Sequence, residues 1–320
     1  MQIHRIQVIL LLMVMFVAGC KPVMTTTPST VTGVGLLLEE TIDDRGWNSK
    51  GYQGLLNIHS NLGVDVFFKE DVDTLDQVKR AVKEFSEDNI SLIFGHGRIF
   101  ADFFSEIADE YPDIHFVSFN GDVTGNNVTS IHFSSYAMGF FAGMVAAKMS
   151  NSGEIGVIAA YSWQPEVKGF QEGAAYGNAD SNVHIDYVNE WSNVEKALGL
   201  FKKMKADDVD VFYPTGDGYT IKIIEEAKND GLYAIGYVGN QSDLGEKTVL
   251  TSTVQHVDHL YELVAEQYLE GKLEAGNQIY DFQDGVISLG TFSSKVPEPI
   301  KHEIEDAVLY YIETGELPKE

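Results

Sequence analysis

One cysteine, Cys20, stands in 320 residues. It follows Val17-Ala18-Gly19 at the end of an unbroken apolar run from Val8 to Ala18, with His4 and Arg5 ahead of the run. A lone thiol has no disulfide partner within the chain, and small residues before a cysteine behind such a run make a bacterial-type lipobox. The chemistry expected at Cys20 is therefore cleavage before it and acylation on it. A second set of candidates lies in polar loops. Trp47, in the loop from Glu39 to Asn48, offers a flat face on which a ring could stack, or else fills the space between loop and helix. Asp43 or Asp44 suits the cap of that helix. His96 sits between Gly95 and Gly97 at a strand end. Gly216-Asp217-Gly218 follows a strand and opens a helix, so its amides either receive a polar ligand group or close a tight turn. The expected chemistry is stacking and hydrogen bonding of a small molecule. No nucleophile pairs with His96, and no HExxH, Cys/His cluster, GxSxG, Walker loop or dinucleotide fingerprint is present. His256 and His259 read as partly exposed helix histidines. Neither an enzyme nor a metal or other cofactor is expected.

These residues need elements to hold them. Residues 1–19 read as a signal peptide and 20–32, rich in Thr, Ser and Pro, as a lipidated tether. The apolar run is short of the roughly 20 residues of a spanning helix. From about Gly33 onward, short apolar strands alternate with helical patterns: strands near Val34, Val64, Ser91, Ile114 and Val128, then a second series near Glu154, Val183, Val209 and Tyr233. The intervening helices include Thr74 to Glu87, with Val78, Val82 and Phe85 on one face, and the Ala/Gly-rich Tyr136 to Met149. Such alternation means βαβ units and parallel sheets, and two successive series mean two doubly wound α/β lobes. A tail follows, with a strand at Thr248 to Thr253, a helix at Val257 to Leu269, a strand near Gly285 and a helix near Ile300. It predicts crossing back between lobes, with lobe 1 as 33–133 plus about 253–284 and lobe 2 as 134–252 plus about 285–320. Ligands of open α/β sheets lie beyond the carboxyl ends of the strands, so the loops named above should face one cleft.

The net charge is −26. Such a surface repels phosphate backbones and anionic lipid heads, so a direct nucleic-acid partner is not expected. A hydrophobic content of 44% excludes a disordered acidic chain.

Ile42-Asp43-Asp44-Arg45-Gly46-Trp47-Asn48 resembles the Ile-Asp-Asp-Lys-Ser-Phe-Asn signature of the basic membrane lipoprotein family, the purine-nucleoside-binding lipoproteins of ABC uptake systems. Glu110-Tyr111-Pro112-Asp113, the helix segment Phe140 to Ala147, Gly231 to Gly236, and Leu250-Thr251-Ser252 resemble further family motifs in the same order, over roughly Val34 to Leu273. The resemblance implies a two-lobed type I periplasmic-binding-protein fold with inter-lobe crossovers, a nucleoside-like ligand, and a membrane protein partner, either a permease or a sensor. It also implies anchoring on the extracytoplasmic face of the cell membrane. Trp47 matches the family's stacking aromatic and Trp191 a second one. The polar positions depart. Leu38, beside Glu39, stands where the family has the Asp that bonds the base. Val238 replaces the Asp that holds the ribose hydroxyls, Gln255 a Lys, and Asn120 an Asp. Each buried polar group left unpaired costs on the order of 1–3 kcal/mol, so poor nucleoside binding is expected. Trp163 to Val167, Tyr213 to Tyr219, Asp230 to Gly236, Asp243 to Gln255 and Thr314 to Lys319 resemble a family member that is a positive regulator of competence in bacilli. The expected role is an indirect regulator with a degenerate site; the alternative is the substrate-binding lipoprotein of an importer for purine nucleosides or a related flat solute.

Overall fold

The computed structural model describes residues 33–42 and 47–319. Cys20, the leader and tether, and Asp43 lie outside the described residues. Two six-stranded sheets form the chain's two lobes. The first has the order β11-β5-β4-β3-β1-β2 and the second β12-β10-β9-β8-β6-β7. In the first, β1 (Val34–Leu38), β2 (Val66–Lys69), β3 (Leu92–His96), β4 (His115–Phe119), β5 (Val128–Phe133) and β11 (Gly276–Tyr280) pair entirely in parallel. In the second, β6 (Glu154–Ala159), β7 (Asn182–Tyr187), β8 (Val211–Thr215), β9 (Tyr233–Gly236) and β10 (Val249–Gln255) are parallel. Only β12 (Ile287–Leu289) runs antiparallel, against β10. All five residues of β1 are buried, as expected of a parallel strand covered on both faces.

The helices are α1 (Trp47–Asn57, continued by a π-helical turn to Leu62), α2 (Leu75–Glu87), α3 (Ile99–Ile107), α4 (Ser135–Met149), α5 (Pro165–Gly177), α6 (Val194–Ala206), α7 (Thr220–Asp230), α8 (Val257–Leu269) and α9 (Glu298–Thr314). Helix α2 buries Val78, Ala81, Val82 and Phe85 and exposes the opposite face; at its start Gln77 Oε1 accepts from the Thr74 amide at 3.0 Å, half of a capping box. Helix α4 is buried all round from Ala137 to Ala147. It packs on α5 backbone to backbone: a Cβ on Gly139 or Gly143 would strike the carbonyls of Glu166 or Phe170, and one on Gly169 or Gly173 those of Tyr136 or Phe140. Among the described residues no helix is long and apolar enough to cross a membrane.

The chain passes between the sheets at Ser134, at His256 and through residues 281–286. These passages are tied to one another. The Ser134 amide donates to the Tyr280 carbonyl at 2.9 Å and the His256 amide to the Val286 carbonyl at 2.8 Å. Helix α9 braces them from behind, through Tyr311 Oη to Asp281 at 2.7 Å and an edge-on cluster of Phe141, Phe282 and Tyr311. Strands β11 and β12, both short and mixed in polarity, give little periodic signal, and β11 is absent from the sequence-based elements. Their partners in the sheets, not their own composition, make them strands.

Candidate functional site

Most of the predicted residues lie in or beside the loops at the carboxyl ends of the strands of the two sheets. On lobe 1, Trp47 opens α1 and its ring lies flat on His96, centroids 4.2 Å apart at 15°, with its edge toward Phe119 at 5.9 Å. His96 is only 1% exposed. Its Nε2 meets the Trp47 carbonyl at 2.7 Å and its Nδ1 the Tyr261 hydroxyl at 2.9 Å. His96 therefore lies beneath Trp47 as its support, and one face of the indole is already covered. Asn48 is buried beside it. Glu39 is half-buried against Gly97. Burial, then Glu40 and Asp73, push its carboxyl above the usual range. Leu38 is fully buried in the core and presents no polar group to the cleft. Asn120 is exposed, in the left-handed conformation at φ 59°.

On lobe 2, Trp191 and the Gly216-Asp217-Gly218 loop meet. The Gly218 amide donates to the Trp191 carbonyl at 3.1 Å, and Thr220 Oγ1 returns to the Gly216 carbonyl. The loop is a closed turn whose Gly218 amide is used internally. Trp191 stands edge-on to Tyr161 and Trp163, themselves stacked, and Trp163 is 59% exposed. Val238 sits at φ 65°, rare for a β-branched residue. Its carbonyl accepts from the Gln255 amide at 3.1 Å and from Lys50 Nζ at 2.7 Å.

Three features escaped the sequence reading. The first is Lys50, which crosses from lobe 1 to that carbonyl. Burial draws its ammonium below the ordinary range, against the pull of Asp258 and Asp217. Trp47 and Lys50 are three apart in the first turn of a helix, hence on one face, and that spacing was the available signal. The second is the stack of half-buried Tyr161 on exposed Trp163. The third is a buried network tying three lobe 2 loops together. Gln164 Nε2 donates to Glu166 Oε1 at 2.8 Å and to the Thr215 carbonyl at 3.0 Å, Tyr237 Oη donates to Glu166 Oε1 at 2.8 Å, and the Tyr161 amide donates to Gln164 Oε1 at 2.8 Å. Burial pushes the Glu166 carboxyl up, and these bonds and its own amide oppose that. No cluster of three or more metal-ligating side chains occurs among the described residues.

Residues 31–320 match the family model described as ABC transporter substrate-binding protein PnrA-like. The chain is 47% identical to the transcriptional activator protein med of Bacillus subtilis over 305 residues, 95% of this chain and 96% of that one. It is 26% identical over 289 residues to a purine-binding protein of Brucella abortus, covering 89% and 81% of the two chains. The crystal structure of a transcriptional activator of the comK gene from Bacillus halodurans superposes with a TM-score of 0.86 at 56% identity, covering 89% of this chain and 99% of that one.

Proposed function

Because the chain belongs to the family of PnrA-like ABC transporter substrate-binding proteins, we propose that it is a lipid-anchored binding protein whose cleft has departed from nucleoside recognition and which regulates transcription indirectly, through a membrane partner. The family is one of binding proteins, not enzymes. The observation that carries the reading is likeness, over nearly the whole chain, to two proteins described as transcriptional activators. The net charge of −26 opposes contact with DNA, and acylation at Cys20 keeps the domain on the far side of the membrane. A signal must then pass through a membrane protein, a permease-like or sensor partner.

The residues at the strand ends support the departure from nucleoside recognition. Leu38 is buried, and Val238 offers a carbonyl already engaged by Lys50. A nucleoside's ribose hydroxyls and base edges find few acceptors there, and they must be paired once water is excluded. Stacking on Trp47 and Trp191 contributes about 1–3 kcal/mol per base, which corresponds to millimolar affinity or weaker. Titration calorimetry of the purified protein with adenosine, guanosine and inosine tests this: no heat at micromolar concentration is expected, and submicromolar binding returns the protein to the importer class. That second reading has its own support in the purine-binding relative and in the kept aromatics.

A further inference from the structure

Strand β2 (Val66–Lys69) is the last strand of the lobe 1 sheet, and among the described residues no strand pairs with its outer side. An open sheet edge normally carries charge, proline or a bulge that keeps other strands off. This one carries Phe67 and Phe68, each 40% exposed, one on either face of the sheet. Phe68 leans on Tyr52 of α1, ring centroids 4.9 Å apart at 59°, and Leu56, one turn further along that helix, is exposed. Phe67 shares the α2 face with Lys69, whose ammonium lies 5.6 Å from the Phe85 ring centroid and 2.6 Å from the exposed Glu84 carboxylate. The Asp65 carbonyl turns inward to the Val34 amide at 2.9 Å, which extends the pairing with β1 by one residue. Backbone groups alternate sides along a strand, so those of Val66 and Phe68 turn outward, toward the place of a further strand.

A strand added here belongs either to another protein or to a second copy of this chain. The order of side chains decides. When β2 lies antiparallel to itself about a two-fold axis at Phe67, Phe67 faces its own copy, Val66 faces Phe68, and Asp65 faces Lys69. The outward groups of Val66 and Phe68 then exchange hydrogen bonds, and Phe67 falls in the non-hydrogen-bonded pair, where side chains come closest. On the α2 face the two Phe67 rings meet between two Asp65–Lys69 pairs. An ammonium has three donors, so the bond to Glu84 leaves donors for Asp65. On the α1 face Val66 meets Phe68. Apolar and opposite-charge pairs of this kind are the ones that stabilise neighbouring strands. Moving the axis one residue either way sets a charge against Phe67 and loses both ion pairs. We propose that β2 is a dimerisation edge: a second copy docks on it, strand against antiparallel strand, and two lobe 1 sheets join into one. Such a contact is isologous and closes at two copies. The inference stands on the strand edge and not on the functional reading above.

Symmetric disulfide formation tests the edge in the full chain, expressed in a bacterial host and oxidised in its membranes. Phe67→Cys should give a covalent dimer linked through the two introduced thiols, read by peptide mass spectrometry. Phe68→Cys, which meets Val66 and not its own copy, and Gly199→Cys, exposed on α6, should form the linkage at least tenfold more slowly. Asp65→Lys added to Phe67→Cys sets like charges opposite each other and should slow the linkage about tenfold or more. Adding Lys69→Asp as well should restore it. The double exchange does not rebuild the bridge to Glu84, so its recovery reports the contact between copies and not the fold. Sedimentation of the detergent-solubilised chain with Phe67 intact gives a second reading: a dimer for the unaltered chain, a monomer for Asp65→Lys, and a dimer again for the double exchange. A monomeric unaltered chain, equal linkage rates at the three introduced thiols, or no recovery in the double exchange overturns the proposal. An edge covered instead by a strand of another protein, or by another part of the same chain, gives the first of these results.

Discussion

Tyr237 donates its hydroxyl to Glu166 at 2.8 Å, and through that bond a carboxyl only 3% exposed governs the loop that carries Val238. Tyr237→Phe removes the donor and leaves the buried carboxyl short of one partner. We expect a loss of about 1–3 kcal/mol in urea unfolding, with no change in secondary structure by circular dichroism. Because burial raises the Glu166 carboxyl above its ordinary value, the folded state binds its proton more readily than the unfolded chain. Its contribution to stability is therefore greatest in acid and declines as pH rises through the folded value. Glu166→Gln should flatten that decline, and a variant whose pH profile matches that of the unaltered chain would count against this account.

His115 should act in the opposite sense. Burial lowers its pKa to about 4, and its Nε2 faces Thr129 Oγ1, which itself donates to the Glu274 carbonyl at 2.7 Å. The folded pKa lies below the unfolded one. The histidine should thus subtract stability progressively as pH falls from about 6.5 to about 4, by on the order of 3 kcal/mol at most. His115→Asn should be less sensitive over that window in urea midpoints taken at successive pH values.

The α4–α5 contact predicts the most damaging single methyl group. Gly143→Ala or Gly173→Ala places a Cβ against a backbone carbonyl, which no rotamer change relieves. Overpacking commonly costs about 1–3 kcal/mol, and a fixed backbone on both sides should put these variants at or above the upper end. Thermal unfolding of the two variants, beside Gly199→Ala with open space around its Cβ, gives the comparison.

Anchoring at Cys20 makes its own prediction. Cys20→Ala should accumulate as an unprocessed precursor or be released from membranes, visible by fractionation and by the mass of the mature chain. Normal processing and membrane retention in that variant would falsify the acylation.

Much of this protein was legible in its residues. The apolar runs Val34–Leu38 and Ile155–Ala159 announced strands buried on both faces, because a parallel strand has no polar side to show. The spacing of Val78, Val82 and Phe85 declared one face of a helix, and the order of family motifs carried the fold class. Loop residues at strand ends were legible as candidates because doubly wound sheets place them there. What each side chain does at the cleft was decided by the tertiary structure. His96 looked like a cleft residue and became the floor under Trp47, since only the packing of α1 and α8 against β3 sets what lies above it. Lys50 was given no role by the sequence. Its partner is 188 residues away on the other lobe, and no local pattern encodes a distance that arises only when two sheets are joined by three crossings. Val238 read as a lost carboxylate, yet its backbone, turned to φ 65°, supplies an acceptor that side-chain identity does not reveal.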